Sequence, residues 1–206
     1  MRIISISGLD GSGKSTQIEL LKEYFQARGK KVCYFHAVAF SIANKGAKRG
    51  AQSVKRENKS ITTASWLQIQ LRKIALFIDL LRFKKLLRKL EKSGYDYLLS
   101  DRYFYDSLIN INYLESKNHQ PKSYQLKAKS CTNILSPDFA FFLNADPAKI
   151  MQRPRPADQG LDYLIAKQKI LTQFAKENSL IEIDGNKSQQ EVFGEIITII
   201  ETSRNK

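Results

Sequence analysis

Gly8-Leu9-Asp10-Gly11-Ser12-Gly13-Lys14-Ser15-Thr16 decides how this chain is read. The stretch fits the pattern Gly-x4-Gly-Lys-Ser/Thr at every fixed position. Its glycines let successive backbone N–H groups curl around phosphate oxygens with no Cβ in the way. Lys14 would then reach the β- and γ-phosphates, and the Ser15 hydroxyl would hold Mg²⁺. The preceding Met1-Arg2-Ile3-Ile4-Ser5-Ile6-Ser7 alternates and is β-rich, whereas apolar residues recur at helical spacing from Thr16 to Phe25. A helix starting there adds its positive dipole end to the cradle. An ordinary Gly-rich turn between strand and helix is the competing reading. Motif and flanks together favour a nucleoside triphosphate site, with Gly8, Asp10, Gly11, Ser12, Gly13, Lys14, Ser15 and Thr16 as its donor-binding set.

Around this loop, 206 residues suffice for one domain, 1–206, with a large core and a short lid. Hydrophobic residues make up 42% and charged residues 26%, a globular composition. No apolar run approaches the ~18 residues a membrane span requires. The apolar start runs straight into the glycine loop, so it reads as a first strand and not as a signal peptide. Cys33 and Cys131 lie far apart with no metal or redox spacing, which suits buried thiols in a reducing cytoplasm. The net charge of +14 exceeds what a phosphate cleft needs. The excess concentrates in 45–59 and in the helix-like stretch 72–92. Solvated faces explain it most simply; contact with nucleic acid or an anionic surface is the sharper alternative, and charge alone does not separate the two.

Strand-like runs fall at Ile3–Ser7, Lys31–His36, Tyr95–Ser100, Phe139–Leu143 and Leu180–Ile183. Helix-like runs fall at Lys14–Arg28, Ala64–Lys92, Tyr105–Leu114, Pro147–Met151, Leu161–Glu177 and Gln189–Ser203. Alternation of this kind predicts an α/β fold in three layers, a five-stranded parallel sheet flanked by helices. Segments 37–61 and 103–129 are expected on the acceptor side, where strand carboxyl ends present ligands.

The third strand ends in Ser100-Asp101-Arg102-Tyr103. A carboxylate just past an apolar strand is well placed to order Mg²⁺ together with Ser15, and a neighbouring guanidinium can fork onto phosphate. A surface Asp-Arg pair is the plain alternative. With these pieces in place the sequence resembles the thymidylate kinase family of nucleoside monophosphate kinases. The matching pieces are Gly8–Thr16, Ser100-Asp101-Arg102-Tyr103 with Ser107, Pro137-Asp138, Asp146-Pro147 and Ile183-Asp184-Gly185-Asn186. The resemblance implies that Asp10 sits near the acceptor's sugar and phosphate and that Arg102 contacts the acceptor phosphate. It also implies that Asp184–Lys187, Asn186 included, lies against the adenine of ATP. Tyr103 and Phe77 join the acceptor side, Phe77 being the nearest match to the family's Phe-x-x-x-Arg, although Arg82 follows one residue too late.

Some members carry an arginine inside the phosphate loop, where this chain has Gly11 and Ser12; others supply it from a lid. Arg153 and Arg155, within 152–160, stand where the second arrangement requires them. Two acceptor-side motifs depart from the family. His36-Ala37-Val38-Ala39-Phe40 replaces an acidic-Pro-Gly-Gly turn, and Asn110-Ile111 replaces a thymine-reading Tyr-Gln pair. The resulting expectation is a cytoplasmic, ATP- and Mg²⁺-dependent phosphotransferase acting on a small acceptor, first dTMP, as a monomer or homodimer. A kinase for another small acceptor, a nucleic-acid-associated ATPase or end-kinase, and a nucleotide-binding module without turnover stay open as alternatives.

Overall fold

The computed structural model describes residues 1–40, 65–118, 135–154, 157–158 and 160–203. The basic segment 45–59, residues 119–129 of the second acceptor-side segment, Cys131 and Arg155 lie outside them.

In chain order the elements are β1 (Arg2–Gly8), α1 (Lys14–Ala27), β2 (Val32–His36), α2 (Ala37–Phe40), α3 (Trp66–Lys92), β3 (Tyr97–Asp101), α4 (Phe104–Asn118), β4 (Phe139–Asn144), α5 (Pro147–Met151), α6 (Leu161–Glu177), β5 (Ile181–Asp184) and α7 (Gln189–Thr202). The strands form one sheet, all parallel, in the order β2-β3-β1-β4-β5. The α/β expectation therefore holds, with helices on both faces. Most element ends differ from the sequence reading by one or two residues. The one element not foreseen is α2, because four residues display no periodicity.

Ile3, Ile4 and Ile6 are all buried, as a strand covered on both faces demands. Ile4 and Ile6 join Ile18, Leu21 and Phe25 of α1 and Val192, Ile196 and Ile200 of α7 in one core. Ile3 joins the opposite core with Leu76, Leu80 and Phe83 of α3, Ile109 of α4 and Leu171 of α6. After β1 the chain builds β2 and β3 on one side and then crosses to β4 on the other. The carboxyl end of β1 is thus the place where the winding reverses, and ligands of open parallel sheets gather there.

Candidate active site

At that end the loop between β1 and α1 turns through Gly11 and Gly13, whose φ of +80° and +100° suit glycine. A Cβ on Gly8 would come within 2.7 Å of the Leu143 carbonyl oxygen and 2.9 Å of Ser12 Oγ. The loop is therefore pressed against β4, and Ser12 Oγ is buried there without a hydrogen-bond partner. Thr16 stands exposed on the first turn of α1.

Lys14 folds inward, and its Nζ donates to the Leu9 carbonyl across 2.5 Å. Burial holds its pKa below the ordinary lysine value, against the opposing charges of Asp106 and Asp101. An ammonium carries three donors, so capacity remains for phosphate oxygens.

The parallel register sets Ile6 of β1 beside Asp101 of β3, which brings the β3 carboxylate level with the loop's exit. Ser15 Oγ donates to Asp101 Oδ2 at 2.5 Å, while Asp101 Oδ1 is buried without a partner. Mg²⁺ takes oxygen ligands, commonly one or two from the protein with substrate phosphates and water completing the shell. A hydroxyl and a carboxylate with a spare buried oxygen match that donor set. Among the described residues no cluster of three or more His, Cys, Asp or Glu could form an all-protein cage, and this kind of site requires none.

Arg102 follows directly, with a left-handed φ of +63° that costs a non-glycine residue roughly 1–2 kcal/mol. Three hydrogen bonds hold it there. Its N–H donates to the Ile6 carbonyl at 3.1 Å, and its own carbonyl accepts from Ser100 Oγ at 2.7 Å and from the Ala37 N–H at 3.4 Å. So turned, the guanidinium forms an ion pair with Asp10 of the phosphate loop. Strain of this sort concentrates at functional positions.

The structure gives the two expected acceptor-side aromatic residues very different settings. Tyr103 is fully buried in an aromatic cluster with Phe83, Phe104 and Tyr105, and its hydroxyl donates to the Leu135 carbonyl at 2.6 Å. It anchors the turn from within the core. Phe77 is 58% exposed, because α3 turns Leu76, Leu80 and Phe83 toward the core and leaves position 77 on the outer side. From the same helix Arg82 instead donates to the Phe40 carbonyl at 3.2 Å and to Asp79 Oδ1 at 2.8 Å.

On the donor side Arg153 donates from Nη1 to the Gly11 carbonyl, and from Nη2 to the Gly185 carbonyl at 3.0 Å. Its guanidinium thus spans the phosphate loop and the loop after β5. A cavity of about 200 Å³ lies between them, lined by Ser12, Gly13, Thr16, Arg153, Gly185 and Lys187. Asn186 is committed to the protein: its Oδ1 accepts from the Asp146 N–H at 2.9 Å, and its own N–H and Nδ2 donate to Asp184 Oδ1 at 2.9 and 2.8 Å. It shapes the loop whose other residues line the cavity.

A deeper layer escaped the sequence reading. Ser7 Oγ donates to Asp106 Oδ2 at 2.8 Å, both residues being buried, and Asp106 Oδ1 has no partner. Lys167 of α6 is buried as well. Its signal in the sequence is a lysine interrupting the apolar stripe Leu164, Leu171, Phe174.

A family model described as thymidylate kinase matches residues 6–196 of this chain. A thymidylate kinase of Thermosipho africanus (strain TCF52B) is 30% identical over 207 residues, covering 96% of each chain. One of Francisella tularensis subsp. holarctica (strain OSU18) is 22% identical, covering 99% of this chain and 97% of that one. Among solved structures, thymidylate kinase from Candida albicans shares the fold at a TM-score of 0.65 and 19% identity, over 99% of this chain and 92% of the other.

Proposed function

From the premise that this chain belongs to the thymidylate kinase family, we infer that it transfers the γ-phosphoryl group of ATP to dTMP, giving dTDP and ADP. The observation that carries this reading is the convergence of Lys14, Ser15, Asp101 and Arg102 at the carboxyl ends of the adjacent strands β1 and β3.

An acceptor phosphate oxygen attacks the γ-phosphorus, the bond to the β–γ bridging oxygen breaks, and ADP leaves with that electron pair. The dianionic acceptor is already a competent nucleophile, so positioning and charge stabilisation are what the protein has to supply. The N–H groups of residues 8–15 cradle the donor phosphates. Lys14 exchanges the Leu9 carbonyl for phosphate oxygens. Ser15 and Asp101 would hold Mg²⁺, which when bound neutralises charge on the donor. Arg102 exchanges Asp10 for the acceptor phosphate, and Arg153 with Arg155 meets the charge that develops on the equatorial oxygens.

We assign this work on free nucleotides to the cytoplasm. Among the described residues no helix is long and apolar enough to cross a membrane. A homodimer is the assembly we propose, on a specific observation. Leu67, Leu71, Ile74, Ile78 and Leu81 recur at intervals of four and three residues along α3 and are all exposed, an apolar seam that a second copy would cover. The exposed Lys85, Arg88, Lys89 and Lys92 lie further along the same helix and need only solvent.

ADP release measured across the nucleoside monophosphates, with dTMP and dUMP included, tests the reading. The highest kcat/KM is expected on dTMP. ATP hydrolysis that ignores every monophosphate and rises with DNA or RNA would overturn it.

A further inference from the structure

Lys167 occupies a core position. The inward-facing residues of α6 include Leu164, Leu171 and Phe174, and Lys167 fills the gap in their stripe at 2% exposure. It forms no hydrogen bond or ion pair with a described residue; its Nζ lies 5.4 Å from the centre of the Tyr163 ring. The charges it senses are, from the strongest, Arg102, Asp106 and Lys14. Arg102 follows β3, Asp106 lies on α4 and Lys14 opens α1. There α6 packs against α4, Phe174 meeting Tyr105 at 5.2 Å between ring centres, so the ammonium belongs to the phosphoryl-transfer centre by position.

The charges around it are already committed. Arg102 is paired with Asp10, Asp106 receives the Ser7 hydroxyl, and Lys14 donates to the Leu9 carbonyl. Asp106 keeps one buried oxygen without a partner, yet it forms no ion pair with Lys167 among the described residues. A buried cation without an anion is costly, and an apolar side chain of similar volume at this point of the stripe would avoid the cost. Such a group is retained where a ligand offsets it. An anion is what both substrates bring. The donor phosphates already have Lys14 and the loop's N–H groups, whereas the strongest neighbour of Lys167 is Arg102. Tyr163, whose ring holds the lysine, likewise senses Arg102 ahead of any other charge.

We infer that Lys167 is a further phosphate-binding residue, presenting its ammonium to the phosphate of the nucleoside monophosphate acceptor beside Arg102. This rests on the kinase reading above. Burial and the repulsion of Arg102 and Lys14, opposed by Asp106, push its pKa down to about 7. The groups facing it are Arg102 after β3, Asp106 on α4, Lys14 on α1 and Tyr163 on its own helix. A bound dianion reverses the balance, so binding of the acceptor at mildly alkaline pH takes up a proton at this lysine.

Lys167→Met keeps the volume and removes the charge. Steady-state kinetics with ATP and dTMP varied in turn, and dTMP titration calorimetry at pH 8 in buffers of different ionisation enthalpy, read its effect. The expected result is a fall of about tenfold or more in kcat/KM for dTMP with KM for ATP within about twofold. The wild type takes up a proton on binding dTMP, and the variant does not. Thermal unfolding at an unchanged or higher temperature excludes a folding defect; if the variant melts early, Lys167→Gln carries the same criteria. An active wild type beside a variant with unaltered dTMP kinetics or unaltered proton uptake overturns the assignment of Lys167 alone. A wild type whose ATP turnover ignores dTMP overturns the functional reading, and this assignment falls with it.

Discussion

Ser15 Oγ and Asp101 Oδ2 meet at 2.5 Å although 86 residues separate them in the chain. The contact is a product of register: β3 lies beside β1, so its last carboxylate arrives at the first turn of α1. Asp101→Asn keeps the shape and removes the charge that an Mg²⁺ ion would meet. The Mg²⁺ concentration giving half-maximal activity is expected to rise about tenfold or more, with KM for dTMP little changed. A magnesium titration at saturating ATP and dTMP measures it.

Arg102→Ala is expected to act on the acceptor. Losing a charge-assisted contact made in the transition state lowers kcat/KM for dTMP by an amount equivalent to about 2–4 kcal/mol, and the Mg²⁺ requirement stays as it was. Arg102→Gly should lose the same activity yet melt higher than the Ala variant, because only glycine adopts φ +63° without penalty. Kinetics paired with thermal denaturation separate the guanidinium's role from its backbone's.

Arg153 already bridges the carbonyls of Gly11 and Gly185. Replacing Arg153 and Arg155 together by Ala is expected to lower kcat by about 10²–10³-fold while ATP affinity changes little. Equilibrium binding of a fluorescent ATP analogue beside steady-state kcat checks both halves. A double variant with wild-type kcat removes the lid arginines from the mechanism.

The apolar seam on α3 predicts an assembly state. Leu71→Asp with Ile78→Asp places two carboxylates where the proposed partner would pack. Sedimentation velocity should show a dimer for the wild type and a monomer for the variant. The fold should survive, since both side chains are exposed in the protomer.

Lys167 also sets a pH dependence of stability. Its folded pKa is about 7, below the ~10.4 of a solvated lysine. Between those values the unfolded chain binds more protons than the folded one, so stability rises with pH across that window, at most by about 1.4 kcal/mol per unit from this group. Lys167→Met should remove that rise. The variant's advantage is expected to be largest near pH 6–7 and to vanish toward pH 10, in denaturant midpoints taken without ligands.

The parts of the site legible in the sequence are those carried by local pattern. Gly8–Thr16 declares itself through glycines and a lysine at fixed spacing, and Asp101 stands out as an acid ending an apolar strand. The residues that local pattern leaves undecided are those whose role depends on side-chain direction. Tyr103 sits one residue from Arg102, yet the backbone turn that sends the guanidinium to Asp10 sends the phenol into the core. Spacing from an arginine singles out Phe77, whereas helical phase puts Leu76 and Leu80 on the buried side and Phe77 on the exposed one. Lys167 was legible in principle as a charge on an apolar face, but its neighbours Arg102 and Lys14 come from distant parts of the chain.

The order β2-β3-β1-β4-β5 has a kinetic consequence. β1 is flanked on both sides and covered on both faces, so its amides can exchange with solvent only in openings close to global unfolding. β2 is an edge strand, bonded among the described residues to β3, and can fray at far smaller free energy. The phosphate loop hangs from the central strand, while the chain leading into the acceptor side leaves from an edge strand. The phosphate cradle is therefore held as firmly as the fold itself, and the chain leaving β2 can breathe without loosening it.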